Sequence, residues 1–126
     1  MKKYEFTGET TTAGGTILHR IRALKDFGNV KKGDLGGFVE REENLSHHED
    51  AWVYDNARIG GNARIIGSAR IYGNAEVSGN ARVCGNAWII GNARIYGNAR
   101  IGGNTRICGS AWIYGNTEIY TEEARK

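Results

Sequence analysis

Proline is absent from the 126 residues, and no run of about 18 consecutive apolar residues occurs, so a bilayer-crossing helix has no candidate segment. The opening Met1-Lys2-Lys3-Tyr4-Glu5-Phe6 lacks the apolar stretch of a signal peptide, which gives the expectation of a cytoplasmic protein with no membrane partner. Cysteine is scarce. Cys84 and Cys108 fall on different faces of the fold expected below, too far apart for the roughly 4.4–6.8 Å Cα separation of a disulfide. They read as free thiols, in keeping with a reducing compartment. Histidine stops at His48, and no glycine-rich phosphate loop follows a strand and opens a helix. The formal charge of +3 is compatible with an anionic partner without requiring one.

Glycine is plentiful, at 19 residues, and it recurs at a fixed period beside aliphatic residues able to build a core. Aliphatic residues stand every six positions from Val53 through Ile59, Ile65 and Ile71 to Ile113 and Ile119. Two residues before each is a small one, from Ala51 to Thr117. Both positions share one side of an extended strand, because strand side chains alternate. Each unit reads small-x-aliphatic-x and then a turn pair such as Gly73-Asn74 or Gly109-Ser110, residues that tolerate a sharp left-handed corner. Three such sides make a coil of 18 residues, so the twelve repeats predict an all-β, single-stranded parallel β-helix of about four triangular coils. With strands about 4.8 Å apart, the prism would stand roughly 19 Å tall.

The first fifty residues lack the repeat. The strands read there are Tyr4-Glu5-Phe6-Thr7 and Thr16 to Leu24, joined by Ala13-Gly14-Gly15, with turns before Leu35-Gly36-Gly37-Phe38-Val39. A solenoid needs a cover over its open end, so the expected organisation is a β-rich cap at 1–50, the solenoid at 51–122 and a charged tail at 123–126.

Three stretches carry a resemblance: Tyr4-Glu5-Phe6-Thr7-Gly8-Glu9, the run from Asp26 through Gly36-Gly37-Phe38-Val39 to Glu40, and Glu43-Asn44-Leu45-Ser46-His47. On these, the chain resembles the YdcK-like hexapeptide-repeat proteins and their short prophage-encoded relatives. The resemblance implies a left-handed β-helix with an N-terminal β cap and says little about activity, since fold does not carry function.

Hexapeptide acyltransferases, which the fold resembles, use a histidine on a coil as general base and a loop expelled from a corner as a lid. Here the coils have no histidine and the repeats no inserted residue, so no catalytic residue and no cofactor is expected. In the cap, adjacent side chains of His47-His48-Glu49-Asp50 diverge and no second cluster completes a coordination set, so no metal site is expected either. His19 lies in an alternating strand and reads as a packed or surface residue.

The outward positions carry more information. The first face presents Trp52, Tyr54, Arg70, Tyr72, Trp88, Ile90 and Arg106, with Cys108, an apolar patch rich in the residue types of interface hot spots. This is the expected interface of a homo-oligomer; the competing reading stacks the arginines on the rings and leaves the face solvated. The second face bears Arg58, Glu76, Arg94 and Trp112 beside Gly60, Ser78, Tyr96 and Tyr114. The third bears an arginine ladder, Arg64, Arg82 and Arg100, which reads as a solvated column first and as a candidate anion site second. The expected function is a non-catalytic, self-associating assembly or protein-binding module. The alternatives are a binder of an anionic ligand or nucleic acid, interfering with a host factor if of prophage origin, and an acyltransferase-like enzyme.

Overall fold

Small-x-aliphatic-x is long enough for one extended side, and the pair after it must turn, which limits each strand to two or three residues. The computed structural model, describing residues 2–120 and the backbone of 123–125, is a parallel β-solenoid with no α-helix among the described residues. Residues 121, 122 and 126 lie outside the description, so the end of the expected solenoid and part of the expected charged tail are not addressed.

The cap opens with the antiparallel hairpin β1 (Tyr4–Ala13) and β2 (Thr16–Ala23), turned at Gly14-Gly15, followed by β3 (Leu35–Val39). β3 pairs in parallel with β5 (Arg58–Ile59), and β8 (Glu76–Val77), β11 (Arg94–Ile95) and β14 (Trp112–Ile113) continue the second face. The first face stacks β4 (Trp52–Val53), β7 (Arg70–Ile71), β10 (Trp88–Ile89), β13 (Arg106–Cys108) and β16 (Glu123–Arg125). The third stacks β6 (Arg64–Ile65), β9 (Arg82–Val83), β12 (Arg100–Ile101) and β15 (Glu118–Ile119), with Leu45 bridged in parallel above Ile65.

The solenoid therefore has about five turns rather than the expected four. The additional turn comes from within the segment read as cap. Val39 stacks on Ile59 and Leu45 on Ile65, each 20 residues apart instead of 18, because two extra residues are accommodated between Leu45 and Val53. That insertion breaks the period and conceals a turn that still obeys it locally. Asn44 supplies the missing corner: its Oδ1 accepts from the Glu40 and Arg41 backbone N–H groups, and its Nδ2 donates to the carbonyls of Gly61 and Ala63. Fully buried, it satisfies backbone groups that a Gly-Asn pair would otherwise serve.

Inside the prism, the alanine and aliphatic ladders are fully buried from Ala51 to Ile107, joined to Tyr4, Ile21 and Val30 of the cap in one core. Each rung donates backbone N–H groups to the next, as in Arg94 to Ala111 and Tyr96 to Ile113, both at 2.9 Å. Corners are held twice. Gly73 turns with φ +69°, where a Cβ would stand 2.9 Å from the Gly91 carbonyl oxygen. In the first coil Asp55 takes that place at φ 57°, and its Oδ2 accepts from the Gly73 N–H at 2.9 Å. Along another corner, Asn62, Asn80, Asn98 and Asn116 pass amide hydrogen bonds from rung to rung at 3.2–3.3 Å.

Candidate functional site

A solenoid wall offers only what its outward side chains present, and stacking sets each of them against its neighbours one rung away. On the first face that stacking is extensive. Tyr54 and Tyr72 lie ring on ring, centroids 4.4 Å apart, and Tyr72 meets Trp88 edge-on at 6.1 Å. Arg70 and Arg106 cover Trp88 from the rungs on either side, 5.6 and 4.6 Å from its centroid. Tyr54, Tyr72, Trp88, Ile90 and Cys108 are all half-buried as a result. Burial pushes the Tyr54 hydroxyl up to about 12, with Tyr72 adding to the shift.

Trp52 departs from the expectation. It is 1% exposed and belongs to the core, so it is not on the surface of the first face. Tyr4 and Phe27 meet its ring edge-on at 6.2 and 5.2 Å, and Gly36 passes close above, where a Cβ would stand 2.8 Å from the ring. The cap covers the outward side of the first rung, which the repeat pattern alone could not reveal.

On the second face Tyr96 stacks on Tyr114 at 5.5 Å, and Arg94 lies 5.6 Å from the centroid of Trp112. Arg58 pairs with Glu76 at 3.5 Å. Trp112 and Tyr114 lie on the last rung of this sheet among the described residues and are 52% and 57% exposed. Sequence reasoning set them in the outward columns without singling them out. Nearer the cap, Gly60 and Ser78 leave a cleft of about 290 Å³ beneath the hairpin, lined also by Leu18, Glu40 and Arg58. The Glu40 carboxylate accepts from the Gly61 N–H at 2.7 Å, which holds it below the usual carboxylate range.

The third face brings Arg64, Arg82 and Arg100 together in direct register, all three exposed. Beside them run Ile66, Cys84 and Tyr120. The Cys84 thiol points at the Ile101 carbonyl at 3.6 Å.

The histidines are engaged in the cap. His47 accepts from the Lys3 N–H through Nδ1, so its Nε2 carries the proton that it donates to Glu42 at 3.1 Å, and the ring stacks on Tyr4 at 4.1 Å. Hydrogen bonds from Lys2 and His47 hold the Glu42 carboxyl below its ordinary range. His19 stacks on Phe6 at 4.6 Å, as a packed residue. Among the described residues no group of three His, Cys, Asp or Glu side chains converges on one point.

Two comparisons bear on this geometry. The YdcK beta solenoid repeat model matches residues 57–70, 69–85 and 93–109, all within the stacked coils. The chain is also similar to an uncharacterized acetyltransferase, YdcK of Escherichia coli strain K12, with 33% identity over 63 residues. That match takes in 44% of this chain and 19% of the relative, so the chain spans only a small part of the protein it matches.

Proposed function

Because the chain is built of YdcK-like β-solenoid repeats, we propose that it is a non-catalytic assembly module that pairs with a second copy through Tyr96, Trp112 and Tyr114. The observation that carries this reading is the exposure of Trp112 and Tyr114, more than half of each, side by side on one flat sheet face. Burying a large apolar side chain contributes about 1.5–3 kcal/mol, and aromatic pairs add to that. A two-fold axis through the patch would bring each Trp112 against the other copy's rings, the isologous arrangement usual for dimers. The first face competes less well, since its tyrosines and Trp88 are already half-covered by one another and by Arg70 and Arg106.

The non-catalytic part of the reading is supported by the wall itself. All three histidines precede residue 49, and no residue is inserted among the twelve repeats to form a lid. The relative named an acetyltransferase favours the opposite reading, acyl transfer, through its name.

Solution molar mass tests the pairing. The expected result is a dimer of twice 13.8 kDa at high micromolar concentration, converted to monomer by Trp112→Arg combined with Tyr114→Glu and left intact by Trp88→Arg. A monomer throughout would overturn self-association. Loss of the dimer in Trp88→Arg alone would return the interface to the first face.

A further inference from the structure

Arginine is the commonest outward residue of the solenoid, and most copies are already engaged. Arg20 pairs with Glu9 and lies over Phe38, Arg22 contacts Glu5, Arg41 pairs with Glu40, and Arg58 pairs with Glu76. Arg70 and Arg106 cover Trp88, and Arg94 covers Trp112. Among the arginines whose side chains are described, only Arg64, Arg82 and Arg100 have neither a carboxylate nor a ring. These three form a single column.

The fold forces them together. Arg64 stands in register with Arg82, and Arg82 with Arg100, on adjacent strands about 4.8 Å apart. Like charges so stacked repel one another, and an anion laid along the column would relieve that repulsion. Glu118 is the next rung below Arg100 and makes no ion pair with it. The flanking column is apolar: Ile66 is 38% exposed, Cys84 half-buried, and the Tyr120 ring, 54% exposed, lies across the bare backbone of Gly102. At the cap end the columns reach a hollow of about 390 Å³ lined by Arg64 and Ile66 together with Ser46, His47, His48 and the carboxylates Glu42 and Glu43.

We propose that the third face binds single-stranded nucleic acid, its phosphates along Arg64, Arg82 and Arg100 and its bases against Tyr120 and Ile66. Such a strand carries regularly spaced anions on one edge and flat apolar groups on the other, matching two parallel columns of opposite character. The planar guanidinium suits phosphate oxygens, which it can hold through two parallel N–H donors. An acidic peptide would satisfy the first column only, because its side chains alternate between edges and it offers no flat group to the second. A duplex would present phosphates on both edges and keep its bases stacked inside. The third face is separate from the second, so this inference stands whether or not the chain dimerises.

Fluorescence anisotropy with labelled oligothymidylate and oligouridylate, titrated at several salt concentrations, tests it. Three phosphate contacts give a slope of log K against log salt near −2, at about −0.7 per contact for single strands. Arg82→Ala should weaken binding and reduce that slope by about 0.7, while Arg106→Ala on the first face leaves both unchanged. Arg82 is exposed, and an unchanged melting curve establishes that the variant is folded. The inference is overturned if neither oligonucleotide binds at low salt, or if Arg82→Ala binds as the parent does. Equal binding of duplex, or competition by polyglutamate as strong as by oligonucleotide, would overturn it in favour of a less selective anion site.

Discussion

Lys3 donates through its Nζ to the Ala51 carbonyl at 2.7 Å, inside the cap and out of reach of solvent. The carbonyls of Glu49 and His48 lie at 3.2 and 3.5 Å, and the Phe27 ring centroid at 4.7 Å. One ammonium thus ties the N-terminal strand to the two-residue insertion, whose Glu49 turns with φ 57°. An amine so placed couples the stability of the cap to pH.

Burial lowers the Lys3 ammonium to about 8, with Asp50 opposing the shift. Between that value and the ordinary 10.5, the unfolded chain holds a proton that the folded one has released, so stability rises with pH. The gain is at most about 3 kcal/mol, since the three accepting carbonyls favour the charged form. Tyr4 and Tyr54 titrate the other way. Burial raises both above the ordinary value of 10, so stability falls as pH climbs past 10. The melting temperature should therefore increase from pH 8 to a maximum near pH 10 and then decline. Lys3→Met should remove the rise and keep the decline, and a flat profile between pH 8 and 10 in the parent would contradict the assignment.

Gly37 in β3 has no room for a side chain. A Cβ there would lie 2.5 Å from the Ala57 carbonyl oxygen and 2.7 Å from Val53 Cγ1, one of them rigid backbone. Gly37→Ala should cost about 1–3 kcal/mol by forcing β3 away from the first coil. Gly60→Ala, whose Cβ meets only the ends of Glu40 and Leu18 at 3.7 and 3.9 Å, should change the denaturation midpoint little. Equal midpoints for the two variants would mean that β3 does not seat against the coil as described.

Ala87 occupies the middle of the small-residue ladder, fully buried between Ala69 above and Thr105 below. Leucine in its place adds volume that a prism only two side chains wide has no means to absorb. Ala87→Leu should lower stability by about 1–3 kcal/mol or more. Chemical denaturation followed by far-UV circular dichroism checks this, and an unaltered midpoint would show the ladder to be looser than its burial implies.

Acetyl transfer makes a separate prediction. With no histidine among the twelve repeats and no residue inserted between them to form a lid, the protein should neither bind coenzyme A nor acetylate an amine acceptor. Saturable heat on titrating coenzyme A at micromolar concentration would reverse this and bring the chain closer to the activity in its relative's name.

Much of the solenoid could be read from residue spacing, because two side chains in every six have nowhere to go but inward. Ile59, Ile65, Ile71, Ile89, Ile95 and Ile101 are all fully buried, and Thr105 joins them by donating its hydroxyl to the Gly102 carbonyl at 2.7 Å. The first turn was hidden because the insertion before Val53 shifts the phase by two residues, and a period detector needs a constant phase. Trp52 was misplaced for a different reason: alternation distinguishes inward from outward, but outward becomes buried where another segment lies on top. The same limitation put Trp88 in the expected interface and left Trp112 unremarked, although Trp88 has an arginine on either side and Trp112 is more than half exposed. Carboxylate pairing across rungs, which isolates the third-face arginines, depends on side-chain reach that one dimension does not encode.

The constant step of 18 residues from rung to rung also governs how the gene for such a wall can change length. At three nucleotides per residue, one turn occupies 3 × 18, or 54, base pairs. Excising residues 69–86 would join Ser68 to Ala87, remaking a corner of the same composition and leaving every ladder aligned with one rung fewer. Recombination in multiples of 54 base pairs is therefore nearly silent in register, whereas gain or loss of a single codon within a coil turns the aliphatic column out into water and the arginines into the core.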